Sequence, residues 1–522
     1  MNLFEVFEIS RINYPNSICL VVNGKSYTYA EMGHWIDRIA FPLKNTIGPF
    51  VGIYAHKCFS AYAGILAVLK AGKAYVPLNP KFPVIRNQEI IRSAELDILI
   101  VGTNYQAEMS ELTDRLEKLQ LIYPENQSSE ITLRNSNHSK ICADNLSQHI
   151  ENPITPSKDG FAYMLFTSGS TGSPKGIPIA HSNVISYLDY MNDRYSPTPE
   201  DKFSQTFDLT FDLSVHDMFL CWKAGSSLYC IPDNVLMAPA KFIKSNELSI
   251  WFSVPSLAQV LNRFRMLKKN VFPTLKYSLF CGEPLSSTLA EKWQEAAPNS
   301  IVENIYGPTE ATIGITHYTW KKEKQANKTH NGIVSLGHCF STQKYAIINK
   351  EGEQVKLGKE GELCLSGSQV SSGYWKDPKK TNDQFILSCL NDSKKEVIWY
   401  KTGDIVKEDD EKNLYYINRK DFQVKIRGHR IDLDEINYVI SQFFQSDQVV
   451  SIPYPISDGI AENIFTFICT ANQKSYLEVR EYCQKHLPNY MIPEKLIYLD
   501  SFPLNSNGKV DRQQLSQLLS EM

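Results

Sequence analysis

Neither sign of charge dominates this sequence. The chain has 54 lysines and arginines against 57 aspartates and glutamates, which gives a net charge of −3 at pH 7. Proteins that bind nucleic acids usually concentrate basic residues on one face, whereas here the lysines are scattered along the chain. We therefore expect no nucleic-acid partner and no attraction to an anionic membrane.

Long apolar runs and metal-binding cysteine pairs are also missing. No stretch approaches the roughly 20 apolar residues of a membrane span. The start, MNLFEVFEIS, lacks the basic beginning and apolar centre of a secretory signal. The 11 cysteines include no Cys-x-x-Cys pair and no His/Cys spacing typical of zinc. We expect no membrane partner, mostly reduced cysteines in the core and a cytoplasmic location.

The length and the hydrophobic pattern indicate an α/β fold of more than one domain. The chain has 522 residues, and 43% of them are hydrophobic, which is enough for an extensive core. Residues 51–80 predict a strand, a helix that ends at Gly72 and a second strand. Such a β-α-β unit indicates a parallel sheet flanked by helices. Short antiparallel strands are predicted beyond about residue 340, and the last hundred residues have a mixed pattern of their own.

One loop is composed almost entirely of glycines, hydroxyl residues and a single cation. It is FTSGSTGSPKG, residues 166–176. Glycines let backbone N–H groups approach an anion, and Lys175 adds positive charge, so the loop is suited to phosphate. Its spacing differs from that of the Walker loop, G-x-x-x-x-G-K-[ST]. We predict a phosphate-binding loop of another kind, with a flexible surface turn as the alternative.

Five further motifs follow this loop in a fixed order. With the loop, they make the chain resemble the adenylate-forming superfamily, which contains acyl-CoA synthetases, luciferases and the amino-acid adenylation domains of peptide synthetases. The resemblance extends over residues 27–512. The motifs are FDLSVHDMF (211–219), NIYGPTEAT (304–312), YKTGD (400–404), RKDFQVKIRGHRIDLDEI (419–436) and NGKVDR (507–512). Two positions depart from the usual pattern, Asn418 in place of glycine and Asp432 in place of glutamate.

The resemblance implies an α/β fold built from two mobile parts. A large N-terminal region, residues 1–418, would contain parallel and mixed β-sheets flanked by helices, a small β-barrel-like part, and the ATP and amino-acid sites. Residues 419–421 would form a hinge with Asp421 as its pivot, unless Asp421 is a plain turn residue. Residues 422–522 would form a small mobile α+β domain that carries the catalytic lysine.

The resemblance also implies that a carboxylate attacks the α-phosphate of ATP. That carboxylate is already ionised, so catalysis must offset the repulsion between an anion and a polyanion rather than supply a base. Glu310 would be the Mg²⁺ ligand, Thr309 would bind the α-phosphate, and Lys509 would be the mobile cation. Singly, each could be a surface or turn residue. The implied ATP site comprises Thr167, Ser168, Gly169, Ser170, Thr171, Gly172, Lys175, Asn304, Ile305, Tyr306, Gly307, Thr309, Asp404, Tyr416, Arg419 and Lys509.

Asp212 distinguishes the subfamilies. Amino-acid adenylation domains resemble this segment and carry here an aspartate that pairs with the α-ammonium of the substrate. Fatty-acid and CoA ligases usually lack it, because a buried unpaired carboxylate beside an acyl chain is costly. A helix N-cap is the alternative role. By resemblance, the amino-acid site comprises Asp212, Leu213, His216, Ser253, Leu279, Cys281, Ile305, Ile313 and Gly314, with Lys509 at the substrate carboxylate.

These side chains predict a small, mostly apolar substrate. Leu213, Leu279 and Ile305 are bulky, and the set offers no full charge to an acidic or basic side chain. Such a wall favours proline, alanine or another small aliphatic amino acid; because Leu213, Leu279 and Ile305 resemble the pocket of prolyl ligases, we predict L-proline, with D-alanine as the alternative. His216 could instead donate to a hydroxyl, as in serine or a hydroxylated proline, or be an ordinary core histidine.

The expected acceptor is a phosphopantetheine thiol on a separate carrier protein. The sequence has no Gly-Gly-x-Ser carrier motif and no His-His-x-x-x-Asp-Gly condensation motif, so we expect a freestanding enzyme similar to the D-alanyl and L-prolyl carrier-protein ligases. An acyl-CoA synthetase is the main alternative, and a luciferase-like enzyme would share the six motifs. An aminoacyl-tRNA synthetase is not favoured, because the HIGH and KMSKS signatures are missing. A non-catalytic protein is not favoured either, because Thr309, Glu310, Asp404 and Lys509 are all present.

Overall fold

Helices and strands alternate through the first two-thirds of the chain. The computed structural model describes residues 1–44, 48–146, 160–167, 174–236, 238–323, 326–390, 395–421, 423–457, 460–470, 472–504 and 510–521. Within these ranges the helices are α1 (Leu3–Asn13), α2 (Tyr29–Leu43), α3 (Phe59–Lys70), α4 (Val84–Ser93), α5 (Met109–Leu112), α6 (His181–Tyr195), α7 (Leu213–Lys223), α8 (Asp233–Leu236), α9 (Ala240–Ser245), α10 (Pro255–Arg263), α11 (Ser287–Ala296), α12 (Pro378–Gln384), α13 (Leu433–Phe444), α14 (Tyr476–His486) and α15 (Arg512–Glu521). None of these helices has the length and apolarity needed to cross a bilayer.

The strands form several separate sheets. They are β1 (Ile18–Val22), β2 (Lys25–Thr28), β3 (Phe50–Tyr54), β4 (Ala74–Leu78), β5 (Ile98–Val101), β6 (Gln120–Tyr123), β7 (Ser139–Cys142), β8 (Phe161–Thr167), β9 (Lys175–Ala180), β10 (Lys202–Gln205), β11 (Ser227–Cys230), β12 (Ile250–Ser253), β13 (Tyr277–Phe280), β14 (Ile301–Tyr306), β15 (Thr316–Thr319), β16 (Thr329–His330), β17 (Ile333–Val334), β18 (His338–Cys339), β19 (Lys344–Ile348), β20 (Glu360–Ser366), β21 (Phe385–Ser388), β22 (Val397–Glu408), β23 (Leu414–Arg419), β24 (Gln423–Ile426), β25 (His429–Asp432), β26 (Val449–Pro453), β27 (Ile456–Ser457), β28 (Ile460–Ala461), β29 (Ile464–Ile468) and β30 (Lys495–Tyr498).

Two large mixed sheets share the main core. One has the strand order β18-β15-β14-β13-β12-β10-β11-β1-β2, and the other β7-β6-β5-β3-β4-β8-β9. The predicted β-α-β unit is β3-α3-β4, in which Phe50 pairs in parallel with Ala74. Its helix α3 is buried from Phe59 to Leu69 and packs in the same core as residues from both sheets. A helix that is apolar on every side is typical of such an interior position, and the predicted α/β class is confirmed.

A smaller antiparallel sheet follows, with the order β19-β20-β22-β21 and with β23 paired to β22. This is the barrel-like part that the sequence predicts. Its long strand β22 carries Asp404, which lies opposite Arg419 on β23. The antiparallel pairing therefore places two predicted nucleotide-binding residues side by side.

Residues beyond Arg419 form two further sheets, β25-β24-β28-β27 and β26-β29-β30, which pack with α13, α14 and α15. Their apolar cores contain only residues from 424 to 519. Polar contacts join this C-terminal part to the rest of the molecule. Arg86 Nη1 donates to Glu435 Oε1 at 2.6 Å, and the Gly428 N–H donates to Glu283 Oε1 at 2.6 Å.

Candidate active site

The candidate site lies where three parallel strands end. Strands β12, β13 and β14 are adjacent, so that Ser253 pairs with Phe280 and Phe280 pairs with Asn304. Ligands of open α/β sheets bind outside the carboxyl ends of the strands. Cys281 and Tyr306 line a cavity at this edge together with Asp212.

Asp212 is a buried carboxylate that faces a backbone amide. Its Oδ2 accepts a hydrogen bond from the Ile313 N–H at 3.2 Å. Burial raises the pKa of Asp212 to about 6, and the Ile313 hydrogen bond opposes this rise. The alternative role as an N-cap is wrong: Asp212 has helical angles (φ −64°, ψ −20°) and makes no capping bond to α7 among the described residues. A buried carboxylate of this kind is suited to a cationic partner.

The backbone opposite Asp212 is strained. Thr312 and Ile313 have φ values of +57° and +71°, and a β-branched residue rarely adopts such angles. Gln369 stabilises this turn, because its backbone carbonyl accepts from Thr312 Oγ1 at 2.6 Å and its Nε2 donates to the Gly314 carbonyl at 2.7 Å. The turn directs the Ile313 N–H at Asp212, and strain of this kind concentrates at functional sites.

Large buried side chains pack around His216 of the predicted amino-acid site. The His216 ring packs edge-on against Phe252 with 4.6 Å between centroids, and His216 Nδ1 lies 2.7 Å from the hydroxyl oxygen of Tyr187. Burial lowers the pKa of His216 to about 3, so the imidazole is neutral at pH 7. Leu213, Leu279, Cys281, Ile305 and Ile313 belong to the same apolar cluster.

Ser253 does not join this wall, contrary to the sequence prediction. Its hydroxyl accepts from Trp251 Nε1 at 3.0 Å, and Trp251 belongs to the core on the opposite face of the sheet. Successive side chains of a strand alternate between its two faces. The residue of β12 that packs against His216 of the predicted amino-acid site is Phe252, one position earlier, which sequence reasoning missed.

Glu310 is held by two polar side chains. Tyr374 donates its hydroxyl to Oε1 and Arg430 Nη1 donates to Oε2, both at 2.9 Å. Burial raises the pKa of Glu310, but the charge of Arg430 and the hydrogen bonds to the carboxylate together outweigh it, so the net shift is downward. Within the described ranges no group of three or more His, Cys, Asp or Glu residues could hold a metal. A lone carboxylate nevertheless fits Mg²⁺, which binds proteins through one or two carboxylates and takes its other ligands from phosphates and water.

A second cavity, of about 200 Å³, adjoins the first and contains the predicted nucleotide residues. Tyr306 donates its hydroxyl to Asp404 Oδ2, and Arg419 Nη1 donates to Asp404 Oδ1 at 2.7 Å. Both aspartate oxygens are thus engaged by groups that would stand beside a ribose. The lining includes Asn304, Ile305, Tyr306, Asp404, Tyr416, Arg419, Val424 and Lys425.

The predicted phosphate-binding loop is described only at its two ends. Thr167 pairs with Lys175 across β8 and β9, and Thr167 lines the same cavity as Asp212 and Thr309. The pKa of Lys175 is lowered to about 8, mainly by burial and secondly by the hydrogen bond and positive charge of the nearby Lys380. The predicted residues Ser168, Gly169, Ser170, Thr171 and Gly172, and also Lys509, lie outside the described residues.

Comparison with known proteins identifies the family. Residues 7–375 match the AMP-binding enzymes. The chain belongs to this family. The resemblance to the adenylate-forming superfamily that the motifs predict is thereby confirmed.

Three AMP-binding relatives illustrate the range of proteins that this chain is similar to. The chain is 28% identical over 530 residues to the D-alanine--D-alanyl carrier protein ligase of Bacillus licheniformis, and the match covers 99% of each chain. It is 30% identical over 523 residues to gramicidin S synthase 1 of Brevibacillus brevis, which is 99% of this chain but only 44% of that synthase. The structure of the Vibrio cholerae adenylation domain AlmE, in complex with glycyl-adenosine-5'-phosphate, superposes with a TM-score of 0.89 at 28% identity, covering 100% of this chain and 98% of that one. Many of the curated relatives are far longer than this chain, which spans less than half of their length.

The hairpin β24–β25 brings further side chains into the site of this AMP-binding enzyme. Arg430 reaches Glu310, Lys425 Nζ lies 5.6 Å from the centroid of the Tyr306 ring, and the Gly428 N–H donates to Glu283. The motif at 419–436 contains the hairpin, but the sequence assigns roles there only to Arg419 and Asp421. These contacts depend on how the C-terminal part is placed against the rest of the chain, and a local sequence pattern does not contain that information.

Proposed function

We propose that this chain activates a small amino acid with ATP and then transfers it to the phosphopantetheine thiol of a separate carrier protein. The observation that carries the proposal is Asp212, a buried carboxylate at the mouth of an apolar wall with one oxygen on the Ile313 N–H. It would pair with the α-ammonium of the substrate, which an acyl chain cannot offer. In the first step the substrate carboxylate attacks the α-phosphorus and pyrophosphate leaves. In the second step the thiolate sulfur attacks the acyl carbon and AMP leaves.

The residues around the nucleotide cavity support the first step. Asp404, held by Tyr306 and Arg419, would accept from the ribose hydroxyls, while Asn304 and Tyr416 would line the base. Mg²⁺, when bound at Glu310, would offset phosphate charge. We assign Thr309 and the loop from Thr167 to Lys175 to the phosphates, and Lys509 to the substrate carboxylate, as the family resemblance implies.

A third cavity, of about 580 Å³, supports transfer to a thiol arm. It lies between α10 and the hairpin, and Phe211, Leu213 and Gly428 line both this cavity and the one at Asp212. An acceptor arm could therefore reach the activated carbonyl from this side. One full-length relative is named as a carrier-protein ligase. We place the reaction in the cytoplasm, where ATP is available and a carrier thiol stays reduced.

The identity of the small amino acid has three candidates. L-Proline is the one that Leu213, Leu279 and Ile305 predict from the sequence, and it stays a prediction. Glycine is the second candidate, because the AlmE structure contains glycyl-adenosine-5'-phosphate at 28% identity and full coverage. D-Alanine is the third candidate, by similarity to the Bacillus licheniformis ligase.

ATP–pyrophosphate exchange tests the proposal. The protein is assayed with each amino acid, with both hands of alanine, and with fatty and aryl acids, and the activated acid is then offered to a holo carrier protein or to free CoA. We expect exchange with a small amino acid and transfer to the carrier. Asp212→Asn should lower amino-acid-dependent exchange by at least about a hundredfold, because the α-ammonium loses its buried counter-charge. Exchange confined to fatty or aryl acids would exclude the amino-acid assignment, and efficient transfer to CoA alone would indicate an acyl-CoA synthetase.

A further inference from the structure

The cavity at Asp212 stops short of the residues that would surround a substrate side chain. It has a volume of about 90 Å³, and Asp212, Leu213 and Cys281 are on its wall. Among the described residues, three other members of the predicted wall, His216, Leu279 and Ile313, do not line it and are fully buried, as is the neighbouring Phe252. Ile305 is 2% exposed and lines the adjoining second cavity instead. There is thus room beside Asp212 for an α-carbon, but a side chain would have to displace packed atoms.

Two aromatic residues hold the His216 ring in place. The Tyr187 hydroxyl is hydrogen-bonded to Nδ1 at 2.7 Å, and Phe252 packs against the ring at 4.6 Å between centroids. Tyr187 lies on α6, in a different part of the chain from α7 and β12, and all three side chains are fully buried. A buried ring fixed from both sides cannot swing aside without breaking the hydrogen bond or opening a cavity. We call Tyr187, His216 and Phe252 the aromatic plug.

The opposite wall is equally close. A Cβ atom at Gly314 would lie 2.5 Å from Ile305 Cγ2 and 3.6 Å from Tyr187 Cε2. A Cβ atom at Gly307 would lie 2.7 Å from the Cα of Gly314. The two backbone segments beside Asp212 therefore touch, and Ile305 fills the space beside Gly314, while Tyr187 of the plug stands at ordinary van der Waals distance from the hypothetical Cβ. Interiors packed in this way resist the insertion of even one methyl group.

We propose that the aromatic plug restricts the substrate to glycine, with Tyr187 as a positioning residue that acts through His216. This inference rests on the proposed function, since it specifies which amino acid the Asp212 site accepts. Serine is the competing outcome, because His216 Nε2 has no hydrogen-bond partner in the described part of the chain and could face a hydroxyl. Glycine is favoured because, among the described residues, neither His216 nor Phe252 lines the cavity at Asp212 and both are fully buried, so a larger side chain would have to displace one of them.

The first experiment compares kcat/KM in ATP–pyrophosphate exchange for glycine, L-alanine, D-alanine, L-serine and L-proline. We expect glycine to exceed each of the others by at least about tenfold, the scale at which one methyl group is discriminated. If serine or proline equals or exceeds glycine, the plug does not set substrate size and the inference is overturned, while the proposed function stands. If no amino acid supports exchange but fatty or aryl acids do, both are overturned.

The second experiment tests the role of Tyr187 with a matched control. Tyr187→Phe keeps the ring but removes the hydrogen bond to His216, and Tyr190→Phe removes the hydroxyl of a neighbouring α6 tyrosine that lies 2.9 Å from His317 Nε2. We expect Tyr187→Phe to reduce the glycine-to-alanine ratio of kcat/KM by at least about fivefold, and Tyr190→Phe to leave that ratio unchanged. A fall in Tm and in both rates, with the ratio unchanged, would assign Tyr187 a purely structural role and overturn the inference.

Phe252→Val gives an independent readout if the tyrosine variant folds poorly. It opens space beside His216 without touching the hydrogen bond, so L-alanine should gain relative to glycine by at least about tenfold. If Phe252→Val folds, as judged by its Tm, and the ratio stays as in the unaltered protein, Phe252 does not border the substrate and the inference is overturned.

Discussion

Arg430 Nη1 lies 2.9 Å from Glu310 Oε2, so a cation from the C-terminal part occupies the carboxylate that is predicted to bind Mg²⁺. Glu310 is 1% exposed and would be costly to leave without a counter-charge. We infer that Arg430 supplies this counter-charge while the hairpin lies here, and that Mg²⁺, when bound, would supply it if the hairpin moves away. Arg430 and Mg²⁺ would then neutralise Glu310 in different steps of the same reaction.

Arg430→Met should separate the two half-reactions. In the docked arrangement it leaves Glu310 buried and unpaired, which costs about 3 kcal/mol or more. We expect transfer of the aminoacyl group from supplied adenylate to the carrier thiol to slow by at least about tenfold. Pyrophosphate exchange in the presence of Mg²⁺ should change by less than about threefold, because the metal supplies the missing charge.

A suitable control for this variant is Arg11→Met. Arg11 forms a half-buried pair with Glu8, three positions earlier on α1, and such a local pair contributes little to stability. Both half-reactions should be unaffected. If Arg430→Met slows exchange as much as transfer, Arg430 does not distinguish the two steps.

The raised pKa of Asp212 predicts the pH dependence of substrate capture. Burial lifts this pKa to about 6, so the carboxyl group is neutral below that pH and ionised above it. Only the ionised form pairs with an α-ammonium. In pyrophosphate exchange between pH 5 and 7.5, kcat/KM for the amino acid should therefore rise about tenfold per pH unit up to about pH 6 and then level off.

Substrate binding favours the ionised carboxylate, so kcat should depend on pH less than kcat/KM does. Asp212→Asn should give a low and flat profile, because the amide does not titrate. Thermal unfolding at each pH shows whether a fall in activity reflects loss of structure. A profile for Asp212→Asn that still bends near pH 6 would assign the titration to another group.

The six ordered motifs are enough to predict the family, and the structure brings together several of the residues that they assign to the nucleotide. Asp404 and Arg419, and the strand that carries Tyr306, lie together as expected because each occurs inside a motif. The wall of the predicted amino-acid site is harder to predict from sequence, because a shift of one residue along a strand turns a side chain to the other face of the sheet. Ser253 is the example: its hydroxyl is bonded to Trp251, whereas Phe252 packs against His216.

Contacts between distant parts of the chain could not be predicted at all. Arg430 to Glu310 spans 120 positions in sequence and Tyr187 to His216 joins two helices. Neither pair leaves a local pattern, since a tyrosine on a helix or an arginine on a strand is ordinary by itself. A buried histidine needs a partner for its ring nitrogens, and that rule was the one available signal for Tyr187.

Asp421→Pro tests the predicted hinge. Asp421 accepts from Arg419 Nε and Nη2 at 2.7 and 2.8 Å. Proline fixes φ at this position and restricts the preceding residue, Lys420. We expect transfer to the carrier to slow by at least about tenfold while pyrophosphate exchange changes little. The reason is that only the passage from adenylate formation to thioester formation requires the C-terminal part to rotate. Asp421→Ala, which removes the ion pair but leaves the backbone free, should be much milder in the same assays. Equal losses in both half-reactions would show that Asp421 is not the pivot.

The last prediction concerns which lysine is the catalytic cation. Lys425 lies in the nucleotide cavity, 5.6 Å from the centroid of the Tyr306 ring, whereas Lys509 is assigned by the family resemblance alone. If the hairpin must leave for adenylation, Lys425 leaves with it, and a cation from the NGKVDR motif has to enter. We therefore expect Lys509→Ala to lower pyrophosphate exchange by at least about a hundredfold, the scale for removing one contact to transition-state charge, and Lys425→Ala to lower it by less than about tenfold. Transfer from supplied adenylate should tolerate Lys509→Ala. The opposite ranking of the two lysines in exchange would make Lys425 the catalytic cation and the docked hairpin the arrangement that forms the adenylate.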